Sequence, residues 1–453
     1  MTLNQLVAPI TDADVDWVIE LMGLEALDEP RRNFLKSMGT VDVAACPGSG
    51  KTTLVVAKLA ILARHWKSRI QGICVLSHTN AAREEIEKRL GGTEVGQRLL
   101  RFPHYIDTIH GFTGRFLASP WLRSKGIALQ AIDDEATHKA RRRELTSKEH
   151  YSVQTAFEMK HKSPYSLRIR STDFDQPLGD EDIGFAPHTP TYKSVVKSLS
   201  GAAKAGYFCF DEVFVLGHAL LDQEDEVGAA LRIRFPCVLI DEMQDTQPDQ
   251  AGVLERVFPH DDPDVRVIRV GDPNQEIFEK KAPLSDPFPD SGRQLEIASS
   301  FRFDQAIASI ANPFAYVPIT NGLIGLRAPR TPGTVPNTII VFPDDDASGV
   351  LDEFGKLVLK HLPKETRKAG VFAVGAVHRL ENFKQNQYPK ALEHYWPSYR
   401  SDTTKTSFKP RSFAEGAHIA RRYVMREPTA SSAVELLASC LANLGEPALV
   451  KAD

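Results

Sequence analysis

The residues best placed to do chemistry lie between Ala45 and Thr53, in the run ACPGSGKTT. A short apolar run, VDVAA at 41–45, leads into them, and TTLVVAKLAILARHW, with apolar residues at helical spacing, follows. The segment therefore reads as strand, Gly-rich loop and helix. A phosphate-binding loop needs that setting: backbone N–H groups of Gly48 to Thr52 wrap β- and γ-phosphates at a helix N-terminus, Lys51 brings a mobile positive charge, and Thr52 offers Mg²⁺ a hydroxyl. The general pattern GxxxxGK[ST] has Gly where Ala45 stands. The candidate nucleotide-binding loop is thus Ala45, Cys46, Pro47, Gly48, Ser49, Gly50, Lys51, Thr52 and Thr53, with Cys46 read as a small tolerated side chain rather than a redox switch. Such a loop needs a carboxylate across the sheet for the metal and a base for the attacking water. VLIDEMQDT supplies both at the end of an apolar run: Asp241 for Mg²⁺ and Glu242 for water. Another apolar run ends in GDPNQEIF, where Gln275 can reach a γ-phosphate and report its loss.

These residues need elements to hold them. GICVLSH (72–78) reads as a buried strand and NAAREEIEKRLG as a helix with a Gly stop. Two strand–helix units predict a parallel sheet with right-handed crossovers, which FPCVLIDE (235–242) and VRVIRVGD (265–272) extend. Residues 122–205 are polar, basic and mixed, with GDEDIGFAPHTPTY as loop, and read as an inserted subdomain. From about residue 295 a second strand–helix series begins, with strands expected in NTIIVFPD and AGVFAVGAV. SFAEGAHIARRYVMRE and SSAVELLASCLANLGE read as helices.

A length of 453 residues predicts two to four domains. No apolar run approaches the roughly 18 residues that cross a bilayer, and acids stand where a signal peptide would be basic, so no membrane association is expected and the expected compartment is the cytoplasm. Five scattered cysteines without a CxxC pair support neither a zinc site nor a disulfide framework. Net charge is -4, yet Lys139 to Arg170 holds nine Lys or Arg against three acids, a local balance of +6. That stretch is either a duplex or strand contact or a solvated helical face.

In order, ACPGSGKTT, SHTNAAREEI, DTIHGF, LIDEMQDT, GDPNQEIF and SSFRF resemble motifs I, Ia, Ib, II, III and IV of the UvrD, Rep and PcrA group of superfamily 1A DNA helicases. GVFAVGAVHR (370–379) resembles the strand before that family's second inserted subdomain. The resemblance implies an α/β fold: a RecA-like parallel-sheet motor core with subdomain 1A complete (1–115 and 206–290) and 2A partial (291–385). Helical subdomains would interrupt both, 1B at 116–205 and 2B beginning in 386–453. It assigns Lys51 and Thr52 to nucleotide and Mg²⁺, Asp241 and Glu242 to Mg²⁺ and water, and Arg302 to the γ-phosphate. Gln244 and Gln275 would couple nucleotide state to DNA. His78, Thr79, Asn80 and His110 would lie beside single-stranded or partly duplex DNA, with His78 where the family has a base-stacking Phe.

This chain also departs from the pattern. Arg31 of LDEPRR falls where the family's adenine-reading Gln is expected, and Lys280 and Lys281 fall where an aromatic and an Arg follow motif III. After residue 385 neither a GLEF or GLEW motif V nor a VAxTRA motif VI with its second arginine finger occurs. The chain is expected to be the front of a longer polypeptide or, alternatively, a shortened relative. The function implied is an ATP-dependent helicase or translocase moving 3′ to 5′ on single-stranded DNA in repair or anti-phage defence. The alternative is a nucleotide-gated DNA-binding or regulatory subunit of a Gabija-like defence complex with a nuclease partner. ATP and Mg²⁺ are the implied cofactors, and without the second finger slow hydrolysis is expected.

Overall fold

The computed structural model describes residues 3–276, 294–328, 338–368, 370–375 and 390–396. Lys280, Lys281, the end of the 370–379 run, both expected helices beyond 411 and almost all of the expected 2B segment lie outside the described residues. The chain divides into two units, Met1–Pro329 and Arg330–Asp453.

The first unit is built on six parallel strands: β1 (Val41–Ala45), β2 (Ile73–Ser77), β3 (Tyr105–Thr108), β4 (Cys237–Ile240), β5 (Arg266–Gly271) and β6 (Gln294–Ile297). Their order across the sheet is β3-β2-β4-β5-β1-β6, with every pair parallel. Strands with helices on both faces must be apolar on both, and the alternation shows it. Ile73 and Val75 join one core with Val43, Leu239 and Ile268, while Cys74 and Leu76 join the opposite core with Val238, Ile240 and Val267. A charged pair interrupts the second face: Asp42 of β1 and Arg269 of β5 stand opposite each other in register and are buried. Arg269 Nε and Nη2 donate to the two Asp42 oxygens at 2.6 and 2.8 Å, a bidentate fork that ties the two strands together.

Helix α1 (Asp12–Met22) and α2 (Glu29–Lys36) precede β1. Helix α3 (Lys51–His65) follows it and is buried over almost its whole length, which explains its near-continuous apolar sequence. Lys58 on α3 is buried as well, and its ammonium closes the end of α2 by donating to the carbonyls of Phe34, Leu35 and Ser37. Residues 119–208 carry four helices, Ser119–Ser124, Asp134–Arg143, Ser147–Glu158 and Pro190–Lys204. A short parallel ribbon pairs Ala131–Ile132 with Tyr207–Phe208 at the two ends of this stretch. Its apolar residues, among them Phe157, Ile169, Phe174 and Leu199, are continuous with the core on the β2–β4 face.

The basic stretch 139–170 does not form one charged face. Arg141 is buried, with Nη2 2.5 Å from Glu212 Oε1 and Nη1 donating to Leu167 O at 2.8 Å. Arg168 pairs with Asp134, Arg170 with Glu181 and Lys139 with Glu135. Acids distant in sequence, Glu212 and Glu181, neutralise part of a charge run that looks unopposed along the chain.

Gln294–Ile297, which the sequence reading groups with 291–385, is the edge strand beside β1. Ser299–Ser300 pairs with Ile324–Gly325, flanking helix Gln305–Ala311. In the second unit the described elements are helices Val350–His361, Lys364–Lys368 and Leu392–Tyr395. The strands expected in NTIIVFPD and AGVFAVGAV are not formed at 338–344 or 371–375. Ile339, Val341, Phe372 and Val374 are more than four-fifths exposed, and among the described residues no strand lies beside them. An apolar run becomes a strand only where a neighbour takes its backbone hydrogen bonds.

Candidate nucleotide and DNA site

The loop after β1 turns through two left-handed glycines, Gly48 (φ 76) and Gly50 (φ 87), and Gly50 caps the N-terminus of the 15-residue α3. Both need glycine for that φ. At Gly48 crowding adds to this, because a Cβ there would come 2.4 Å from Cβ of Arg302. Motif IV thus lies directly on the loop: Ser300 Oγ donates to Pro47 O (2.6 Å) and the Phe301 N–H to Gly48 O (3.0 Å). Cys46 is buried beneath, packed near Ala308 and Leu323, and burial pushes its thiol up to about 11, so it stays protonated at neutral pH.

Lys51 is the first residue of α3, and its Nζ is buried without a hydrogen-bond partner, 3.6 Å from Glu242 Oε2. The hydroxyl of Ser49 is likewise buried and unpartnered. Orphaned donors are rare in folded proteins. Here they sit at a helix N-terminus in a glycine loop, a combination that an anion such as a polyphosphate satisfies. The residues present therefore fit a nucleoside triphosphate. Among the described residues no cluster of three His, Cys, Asp or Glu could hold a metal alone.

Asp241 and Glu242 follow β4, two strands from the loop. Burial, and then the neighbouring Glu242, raise the Asp241 carboxyl to about 6. Glu242 adopts a left-handed backbone (φ 54, ψ 47), which costs a non-glycine residue about 1–3 kcal/mol and is held in place by its neighbours. One of these is Gln244, whose Nε2 donates to Glu242 Oε2 at 2.8 Å while its Oε1 accepts the Asp272 N–H at 2.9 Å. Gly271 must be glycine for this bridge, since a Cβ would meet Gln244 Oε1 at 2.6 Å. Gln275 Nε2 donates to Asp272 Oδ2 at 2.6 Å. Lys51, Glu242, Gln244, Asp272 and Gln275 thus form one polar chain. The sequence reading assigned no role to Asp272, although the signal was present: it is the acid that ends the apolar run of β5.

Arg302 follows the two-residue strand Ser299–Ser300 and is exposed. Arg31 is fully buried, and all five of its N–H groups are taken by protein acceptors: Nε and Nη2 by Ser49 O (3.2 and 3.0 Å), Nη2 also by Ser299 O (2.6 Å), and Nη1 by Ser299 Oγ (2.6 Å) and Asp28. Its guanidinium joins the loop at Ser49 to motif IV at Ser299 and lies 4.6 Å from the Phe301 ring centroid. Arg31 lines a cavity of about 230 Å³ together with Leu24, Glu25, Leu27, Thr53, Leu54, Arg89 and Phe301.

The residues expected beside DNA follow the carboxyl ends of β2 and β3. His78 Nε2 shares a hydrogen bond with Thr246 Oγ1 (3.0 Å), and burial, with His110 nearby, lowers its pKa. Thr79 and Asn80 lead into helix Ala81–Leu90. The His110 ring packs edge-on against Phe214 (4.8 Å) and Phe210 (6.1 Å), with Nε2 3.7 Å from Asp211 Oδ1. The sequence reading missed Phe210, about half exposed and beside His110.

Residues 27–282 match the family model for the UvrD/REP helicase N-terminal domain. The chain is 25% identical over 334 residues to DNA helicase II of Salmonella typhimurium strain LT2, covering 69% of this chain and 42% of that protein. It is 24% identical over 281 residues to ATP-dependent DNA helicase Rep of Escherichia coli K12, covering 60% of this chain and 40% of Rep. A 77-residue stretch is 39% identical to RecBCD enzyme subunit RecB of Escherichia coli K12, 17% of this chain and 6% of that subunit. The chain therefore spans less than half the length of these curated relatives, and with more than half of its own residues matched it belongs to the UvrD/REP helicase family.

Proposed function

We propose that the chain is the motor part of an ATP-dependent helicase or translocase that works 3′ to 5′ on single-stranded DNA, in DNA repair or anti-phage defence. The observation that carries the reading is the buried, unpartnered Lys51 ammonium at the N-terminus of α3, facing Glu242. Lys51 binds and orients the β- and γ-phosphates, and the loop N–H groups hold the rest of the triphosphate. Thr52 and Asp241 hold Mg²⁺, which, when bound, neutralises charge on the phosphate oxygens. Glu242 accepts the proton of the attacking water, Gln275 senses the γ-phosphate through Asp272, and Arg302 adds positive charge to it. His78, Thr79, Asn80 and His110 carry the strand, with Phe210 as an added stacking surface. The likeness of one stretch to a subunit of the RecBCD enzyme supports a chain that works with a protein partner.

The test is nucleotide binding and hydrolysis with and without single-stranded DNA. Lys51→Ala should lose nucleotide binding, and Glu242→Gln should bind ATP without turning it over. Equal loss of binding in both variants would mean that the acids are misassigned, and no effect of DNA on turnover or affinity would remove the helicase reading.

A further inference from the structure

The phosphate loop, the acids and the two histidines all follow carboxyl ends of strands. A separate cavity of about 410 Å³ opens along β3, an edge strand of the sheet. Its lining includes residues 99–102 and His104, before β3, and Arg234, before β4. Its volume suits a small ligand, for which roughly 300–1,000 Å³ is usual.

Four guanidinium groups line it, from Arg83, Arg101, Arg115 and Arg234, of which Arg83 is already paired with Glu87 Oε1 at 3.1 Å. The acid in the lining, Asp107, accepts from the Tyr105 hydroxyl at 2.8 Å and the Thr108 N–H at 2.7 Å and offsets one charge, so Arg101, Arg115 and Arg234 still outweigh it. Arg234 lies between the rings of Phe102 (4.8 Å) and Phe235 (4.6 Å), and its Nη1 is buried without a hydrogen-bond partner. His104 is 7% exposed, and its Nδ1 accepts the Ile73 N–H at 3.1 Å, so the neutral ring carries its proton on Nε2. That Nε2 is buried and unpartnered too. Arg115 has ring contacts with Tyr105 and Phe116 and no carboxylate partner among the described residues. Two orphaned donors and a surplus of guanidinium charge call for an anion with several oxygens, and the guanidinium fork matches phosphate. Phe102 is 70% exposed at the rim and offers a flat apolar surface beside that charge.

We propose that this cavity is a second nucleoside-phosphate site, distinct from the loop after β1, which takes a phosphate among Arg101, Arg115 and Arg234 and a base against Phe102. The unit can come from a free nucleotide or from a DNA strand. The whole chain carrying Lys51→Ala, which disables the other site, is titrated by calorimetry with dTMP, inorganic phosphate and 5′-phosphorylated oligothymidylate. Arg101→Gln and Arg115→Gln, both at exposed positions, are then added. A free-nucleotide source predicts 1:1 dTMP binding that the two substitutions weaken at least tenfold. A strand source predicts that oligothymidylate weakens instead and that its salt slope falls by about one to two units. Phe102→Ala should weaken the base-bearing ligand several-fold and leave inorganic phosphate unchanged. Unchanged affinity for dTMP and oligothymidylate in the double Gln variant overturns the site, and equal binding of dTMP before and after Phe102→Ala overturns its nucleoside character.

Discussion

Arg31 offers the sharpest test, because family resemblance and geometry give it different work. Arg31→Met keeps most of the volume and removes every donor. Two buried carbonyls, Ser49 O and Ser299 O, then lose their partner, and Asp28 loses its cation. Each unsatisfied buried acceptor costs about 1–3 kcal/mol, while the pair with Asp28, whose side chain is about a third exposed, is screened by solvent and adds less. Burial already lowers the Arg31 pKa, so relief of desolvation offsets part of the loss. A net destabilisation of about 3 kcal/mol, set against an unfolding entropy of roughly 2.1 cal/mol/K per residue in a unit of this size, should lower Tm by about 4 °C, read by calorimetry. The same geometry bears on base selectivity. With all five donors engaged, Arg31 has none for a base edge, and the adjoining cavity is largely apolar, which discriminates by about 10- to 200-fold at most. ATP and GTP should therefore bind the wild-type chain with Kd values within about 200-fold. A thousandfold preference for ATP, or a variant as stable as wild type, would refute the clamp.

Asp241→Asn should stabilise the nucleotide-free chain at pH 7. The Asp241 carboxyl is raised to about 6, so its stability contribution is full below the unfolded value near 3.8 and is lost as pH rises through 6. The gain, about 1–3 kcal/mol, should therefore vanish in denaturation curves near pH 4. Asp42→Ala strands the Arg269 guanidinium inside the sheet and should cost about 3–5 kcal/mol in urea unfolding, with ATP contacts untouched. Replacing the three-carbonyl cap with Lys58→Met should lower thermal stability by about 1–3 kcal/mol without changing DNA affinity. His110→Ala should weaken single-strand binding in an anisotropy titration and leave ATP affinity as it was.

Much of the first unit was legible because its signals are local. The strand, glycine loop and helix around Lys51 are contiguous, and apolar runs ending in Asp241 and Asp272 announce strand ends. The pairings that set side-chain roles are not contiguous. Arg31 meets Ser299 across 268 positions and Arg141 meets Glu212 across 71, and no pattern of charge along the chain shows either. The 338–343 and 371–375 runs mislead for the opposite reason: their periodicity is that of strands, but periodicity supplies no neighbour.

The polar contacts around the loop close on themselves. Lys51 faces Glu242, Gln244 joins Glu242 to Asp272, and Asp272 accepts from Gln275. In the same turn the Asn274 amide makes two bonds with Val317, donating to its carbonyl (3.0 Å) and accepting from its N–H (2.9 Å). Val317 belongs to the segment that begins with Ser300 and Phe301, and these two donate back to Pro47 and Gly48 of the loop. The phosphate loop, the acids, the turn after β5 and the backbone beside Arg302 are thus held as one body by directional bonds as well as by the packing of Cys46 against Ala308 and Leu323. A change of charge at Lys51 is met by a strained Glu242 whose only described side-chain donor is Gln244. Any relaxation there is therefore passed to Asp272 and Asn274, and through Val317 to the segment that carries Arg302.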